Sequence, residues 1–150
     1  MSCDLYTIGH STTPLQGFVA LCRGAGIGLI ADVRRFPVSR RNPQFTQERL
    51  QRSLPENGIV YEWLGESLGG YREDGYDAWM SSGAFDIGLA EIERLARDNV
   101  VAFMCAEGAP WKCHRRFVAD ALASRGHRVS HVLPNGELVT VQPRLGLADP

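Results

Sequence analysis

The chain has no apolar run approaching the roughly 20 residues that a membrane-spanning helix needs. It has no surplus of charge either. Its 16 Lys and Arg stand against 17 Asp and Glu, a formal net charge of −1. The chain as a whole is therefore not a polybasic nucleic-acid binder, and any basic site has to be local. Cysteine is sparse: Cys3, Cys22, Cys105 and Cys113, with no C-x2-C pair of the kind common zinc modules use. The opening residues, MSCDLYTIGHS, lack the basic segment and the apolar stretch of a secretory leader. A cytoplasmic protein with free thiols and no membrane partner is expected. Repeats and low-complexity tracts are also missing.

What is there is an alternation of apolar runs with helix-like segments. The runs at 5–9 (LYTIG), 27–33 (IGLIADV), 59–64 (IVYEWL) and 100–105 (VVAFMC) read as strands. Leu15, Phe18, Val19 and Cys22 recur with helical spacing behind Ser11 or Thr12 as a cap, with Pro14 in the first turn. Thr46 is positioned to cap a helix reaching Leu54. Phe85, Leu89, Ile92 and Ala96 mark another helix, and His114, Phe117, Val118 and Ala121 the inward face of a last one starting near Cys113. Residues 65–79, rich in glycine and aromatics, show no period and read as a long loop. RVSHVL and ELVTV flank PNG as a terminal hairpin. The expectation is one α/β domain over 1–142, with a Rossmann-like, mostly parallel sheet flanked by helices and a C-terminal hairpin. A tail follows at 143–150. In such sheets ligands bind beyond the carboxyl ends of the strands.

Those strand ends hold the densest chemistry in the chain. TIGHS brings Gly9, His10 and Ser11 into a strand-to-helix turn that suits an anion, although it is neither G-x-G-x-x-G nor a P-loop. In ADVRRFPVSRR, Asp32 falls within an apolar strand, where a carboxylate needs a partner. Arg34, two residues on, shares its face. Arg34 is thus a structural mate for Asp32, an anion ligand, or both at once, with Arg35, Arg40 and Arg41 forming a basic patch nearby and Ser39 beside them. Tyr71, Tyr76 and Trp79 either stack on a ring-bearing ligand or pack the loop onto the domain.

The stretch CAEGAPWKCHRR, residues 105–116, is the most unusual. Lys112, Arg115 and Arg116 crowd a helix N-terminus, the end where the macrodipole disfavours cations. An anionic ligand relieves that repulsion, and the same field lowers the pKa of a nearby thiol. Three readings compete. Cys105 or Cys113 is a nucleophile with Glu107 or His114 carrying protons. Cys105, Cys113 and His114 hold a metal, with Glu107 or His10 as a fourth ligand, in a metal-dependent hydrolase. Or basic residues bind phosphate while Glu107 or Asp32 does acid–base work.

At these residues the chain resembles the domain-of-unknown-function family 488. TIGHS, DVRRFPVSRR, LGG, CAEGAPWKCHRR and HVLPNGEL recur there in the same order, across residues 5–139. The resemblance implies a small, mostly bacterial, cytosolic α/β protein. Its recurring polar residues fall here on Gly9, His10, Ser11, Asp32, Arg34, Ser39, Cys105, Glu107, Cys113, His114 and Arg115. It supplies no mechanism.

The sequence-level expectation is therefore an enzyme, a hydrolase or transferase, acting on an anionic substrate: a nucleotide, a nucleic-acid fragment or another phosphate-bearing molecule. Cys105, Glu107, Cys113, His114 and Asp32 are the candidate catalytic groups. Gly9, His10, Ser11, Arg34, Ser39, Arg40 and Arg115 are the candidate substrate ligands. No cofactor and no resident metal are expected. The alternatives are a non-catalytic nucleotide- or nucleic-acid-binding module, leaning on Arg35, Arg40, Arg41, Arg72 and the loop aromatics, and the metal-dependent hydrolase.

Overall fold

The computed structural model describes residues 2–142. Six strands run β1 Asp4–Gly9, β2 Leu29–Asp32, β3 Val60–Trp63, β4 Val101–Cys105, β5 Arg128–Val132 and β6 Leu138–Thr140. They form one sheet in the order β3-β2-β4-β1-β5-β6. Every pairing is parallel except β5–β6, the antiparallel C-terminal hairpin. The expected α/β architecture is thus present. All five residues of β4 are buried, as a continuous apolar run in a central parallel strand requires.

Among the described residues six α-helices complete the fold: α1 Leu15–Gly24, α2 Gln47–Glu56, α3 Gly65–Leu68, α4 Tyr76–Met80, α5 Gly83–Leu95 and α6 Arg115–Ser124. The period-two alternation of the strands divides the core in two. Ile8, Ile30, Ala102 and Met104 face α1 and α2 through Phe18, Val19, Leu50 and Leu54. Leu29, Ala31, Phe103 and Cys105 face α5 and α6 through Leu89, Ile92, Val118 and Leu122. The chain passes from β1 outward to β2 and β3 on one side, then returns through β4 to place β5 and β6 on the other. The ends of β1 and β4 therefore meet at the reversal of strand order, where a parallel sheet opens a crevice.

Several local expectations change. Ser11 does not cap α1. Pro14 occupies the cap position, while Ser11 sits at φ +50° in the turn before it. Thr46 precedes α2, but its hydroxyl donates to Pro43 O instead of accepting from the helix. The loop at 65–79 contains α3 and α4, which at four and five residues are too short to show a period. It packs on its own domain: Tyr76 stacks against Phe117 and meets Phe85 and His114 edge-on, and Trp79 lies under the Arg72 guanidinium. A 3-10 turn, Pro110–Lys112, precedes α6, which starts at Arg115 and turns Arg115, Val118, Ala119 and Leu122 inward. The inward face anticipated from His114 and Phe117 is rotated, because a charged residue, Arg115, has buried partners waiting for it. The tail expected over 143–150 lies outside the described residues. Among the described residues no helix is long and apolar enough to cross a membrane.

Candidate functional site

Two polar networks stand at the carboxyl ends of the central strands, one on each face of the sheet. The first, on the α1/α2 side, is built around Asp32, which is fully buried at the end of β2. Both of its oxygens are occupied. Arg34 Nε donates to Oδ1 at 2.8 Å and Arg34 Nη2 to Oδ2 at 2.7 Å, a two-pronged pair. The Arg34 amide adds a bond at 3.1 Å, and the Tyr61 hydroxyl donates to Oδ2 at 2.5 Å. Burial, followed by the Asp32 charge, pushes the Tyr61 phenol up, so it remains a donor.

Arg34 also faces His10 Nε2 through Nη1 at 3.3 Å. A guanidinium only donates, so Nε2 accepts and Nδ1 carries the hydrogen, which it gives to Ser11 O at 2.8 Å. His10 stacks on Phe45 with ring centroids 4.4 Å apart, and burial pulls its pKa down to about 4. It is a neutral, oriented group.

The second network, on the α6 side, is built around Arg115, whose side chain is fully buried. Nε donates to Thr7 Oγ1 at 2.9 Å, and Nη1 to Cys105 Sγ at 2.8 Å and to Glu107 O at 2.5 Å. Nη2 reaches Gly108 O at 3.4 Å. Thr7 Oγ1 in turn lies 2.6 Å from His131 Nδ1, its register partner on β5. Burial pushes the Cys105 thiol up. A hydrogen bond from Cys113, then the Arg115 charge and hydrogen bond, overcome this and bring it down to about 7. Cys113 moves the other way, because it gives its hydrogen to Cys105 and is itself buried. The arrangement is a thiol of lowered pKa beside a guanidinium, with a thiol of raised pKa as its neighbour.

The loops are knitted so that this geometry holds. His10 N donates to Cys105 O at 2.9 Å and Ser11 N to Ala106 O at 2.8 Å. A Cβ on Gly9 would land 1.6 Å from Glu107 O and 2.7 Å from Arg115 Nη1, so only glycine lets β1 lie against the segment that cradles Arg115. Gly65 has the same constraint beside Arg34, with Arg34 O 1.9 Å from the place of its Cβ.

A cavity of about 440 Å³ opens on these ends, of a size that suits a small-molecule ligand. Among the sequence-level candidates it is lined by Arg34, Cys105, Glu107, Cys113 and His114. Arg35, Phe36, Val38, Tyr71 and Lys112 complete much of its wall. Phe36 and Tyr71 are solvent-exposed, with ring centroids 6.1 Å apart, and Tyr71 holds φ +59°. The remaining candidates are placed elsewhere. Gly9, His10, Ser11 and Asp32 are not among its lining residues, although His10 and Asp32 bond Arg34 and Ser11 N bonds Ala106 O. Ser39 accepts a bond from Asn42 N at 3.1 Å, and Arg40 is exposed. Arg115, expected to bind substrate, is buried behind Cys105, and its charge is answered by sulfur and carbonyls.

Among the described residues, no three His, Cys, Asp or Glu side chains are arranged to hold a metal ion. The trio of Cys105, Cys113 and His114 is accordingly no ligand set. Cys105 Sγ accepts from a guanidinium, which a metal cation would have to displace against like charge.

The family model described as "Domain of unknown function DUF488" matches residues 14–75 and 72–122. The chain belongs to this family. No curated protein and no solved structure matches it. The two matched segments of this DUF488 chain include Asp32, Arg34, Cys105, Cys113 and Arg115. Three polar members of the networks escaped sequence reading. Thr7 and His131 become partners only through strand register, and Tyr61 reaches Asp32 from the neighbouring strand.

Proposed function

We propose that the protein is an enzyme acting on an anionic substrate in the 440 Å³ cavity, with the Cys105 thiolate as nucleophile. The observation that carries this reading is the 2.8 Å contact between Arg115 Nη1 and Cys105 Sγ at the floor of that cavity. A buried guanidinium stabilises the charged form of the sulfur, and the thiolate is the reactive species. Arg34, Arg35 and Lys112 on the wall supply positive potential for the substrate. Three of the five Arg34 N–H groups are committed to Asp32 and His10, which leaves two for a ligand. Glu107 at the rim is the available carboxylate for proton transfer.

The comparison of neutral iodoacetamide with anionic iodoacetate tests this reading. The iodoacetate-to-iodoacetamide rate ratio at Cys105 is expected to exceed that at Cys3 on the same molecule, and to fall as salt rises. Equal ratios at the two cysteines would remove the anion site.

A non-catalytic nucleotide-binding module is the second reading, favoured by the exposed Phe36 and Tyr71 rings beside Arg35. Arg72 lends it less support than the sequence offered, since its donors go to Gly65, Glu66 and Gly69 carbonyls. Nucleotide binding that survives Cys105→Ala and Glu107→Gln would favour this second reading.

A further inference from the structure

An enzyme with one nucleophilic sulfur has no need of a second thiol beside it, yet Arg115 bonds both: Nη1 donates to Cys105 Sγ at 2.8 Å and the amide to Cys113 Sγ at 3.5 Å. Both sulfurs line the same cavity. Residues 106–112 make the return between them: the 3-10 turn closes with Cys113 N on Pro110 O at 3.2 Å. Cys113 Sγ then accepts from Arg115 N at 3.5 Å, at the start of α6.

The environment of Cys113 differs from that of Cys105. His114 Nδ1 lies 3.6 Å from Cys113 Sγ, and His114 Nε2 lies 3.1 Å from Val33 O. A carbonyl only accepts, so Nε2 carries the hydrogen of this ring. Burial lowers the pKa of this imidazole and so favours its neutral form. Nδ1 therefore presents a lone pair to Cys113. One thiol lies beside a guanidinium that lowers its pKa. The other holds its proton more tightly and faces an imidazole nitrogen.

We propose that Cys105 and Cys113 are a dithiol–disulfide couple that reduces a low-molecular-weight disulfide carrying carboxylate or phosphate groups. The proposal rests on the reading of Cys105 as nucleophile and names the reaction and the substrate class. In the first step the Cys105 thiolate attacks one sulfur of the substrate. A Cys105–substrate disulfide forms, the substrate S–S bond breaks, and one substrate thiolate leaves with the electron pair. In the second step Cys113 gives its proton to the substrate thiolate released in the first and attacks Cys105 Sγ. The Cys105–Cys113 bond forms and the second substrate thiolate leaves. The substrate disulfide gains two electrons, the protein dithiol loses two, and one proton ends on a substrate thiol.

The cavity favours this substrate over a peroxide, which would occupy little of its 440 Å³ and would not use its aromatic rim. Arg34, Arg35 and Lys112 match the negative groups. Arg115, kept behind Cys105 by Thr7 and two carbonyls, stabilises the sulfur that attacks and later leaves.

Dithiobis(nitrobenzoate), a dianionic aromatic disulfide, is the probe. The full chain carrying Cys3→Ser is mixed with one equivalent. Cys22, buried and with its thiol pushed up to about 12, stays unreacted while the protein is folded. The expected result is release of two nitrothiobenzoate ions per chain, no retained adduct, and a Cys105–Cys113 cross-linked peptide in the mass spectrum. Cys113→Ser, or Cys113→Ala where serine perturbs folding, is expected to release one ion and keep the adduct on Cys105.

A Cys113-containing protein that keeps the adduct and releases one ion overturns the dithiol couple but leaves Cys105 as nucleophile. Failure of Cys105 to react at all in that protein overturns both. The stoichiometry is read on the chain with both cysteines intact, so it does not depend on how either variant folds.

Discussion

The two faces of the sheet solve the same problem, a buried arginine, with different counterparts. On the α1/α2 face Arg34 meets a carboxylate in a two-pronged pair closed further by Tyr61 and His10. On the α6 face Arg115 meets a thiol, a threonine hydroxyl and carbonyls. The carboxylate has both oxygens committed to Arg34 and Tyr61. A thiol carries charge only as thiolate and loses it on forming a bond. The first network is therefore a fixed support and the second a poised one. The arginine is common to both, and the identity of its partner separates structure from chemistry.

The largest effect is expected from breaking the fixed side. Asp32→Asn leaves Arg34 buried without its counter-charge, a change that costs about 3–5 kcal/mol in comparable pairs. Urea unfolding is expected to show that loss, while the Cys105 alkylation profile stays in place. A shifted profile would mean that the two faces are coupled.

Acid separates the faces next. His10 is neutral in the folded protein, its pKa lowered from 6.5 to about 4 by burial. A depressed histidine means that the unfolded chain binds the proton first. Stability is thus fully present above pH 6.5 and falls as pH drops toward 4, by on the order of 2–3 kcal/mol from this residue. His131, also lowered to about 4, adds to the loss in the same window from the other face. Stability measured from pH 7 to 4 is expected to fall less in His10→Gln than in the parent, and a parallel slope would contradict the assignment.

On the poised side, Arg115→Lys keeps one charge but loses the planar fork that serves Thr7, Cys105 and Glu107 at once. A stability loss of about 1–3 kcal/mol is expected from the unsatisfied partners. More tellingly, the Cys105 alkylation midpoint is expected to rise toward that of an ordinary thiol. The smallest effect belongs to the residues lying outside both networks. Ser39→Ala and Arg40→Ala are expected to change stability by no more than about 0.5 kcal/mol and Cys105 reactivity not at all.

Much of the fold was legible because each strand carries its own pattern. The apolar runs at 101–105 and 29–31 are recognisable as buried strands without help from distant parts of the chain. Asp32 and Arg34 were readable as a pair for the same reason, two positions apart on a strand. Arg115 was not. The helical spacing turned His114 and Phe117 inward instead, and the partners of Arg115 come from β1, the end of β4 and the loop after it. The charge crowding at the start of α6 led to the expectation of an anionic ligand. The compensation, however, is a thiol and backbone oxygens inside the protein. Thr7 and His131 sit 124 positions apart, and only sheet register joins them.

The central claim is that Arg115, with Cys113, holds Cys105 as a thiolate near neutrality. The pH dependence of Cys105 alkylation by iodoacetamide, followed by peptide mass spectrometry in the native protein, tests it most directly. A midpoint near 7 that moves up in Arg115→Lys is the result expected from the geometry. A midpoint near 9, the value of an unperturbed thiol, unchanged by that substitution, would contradict it.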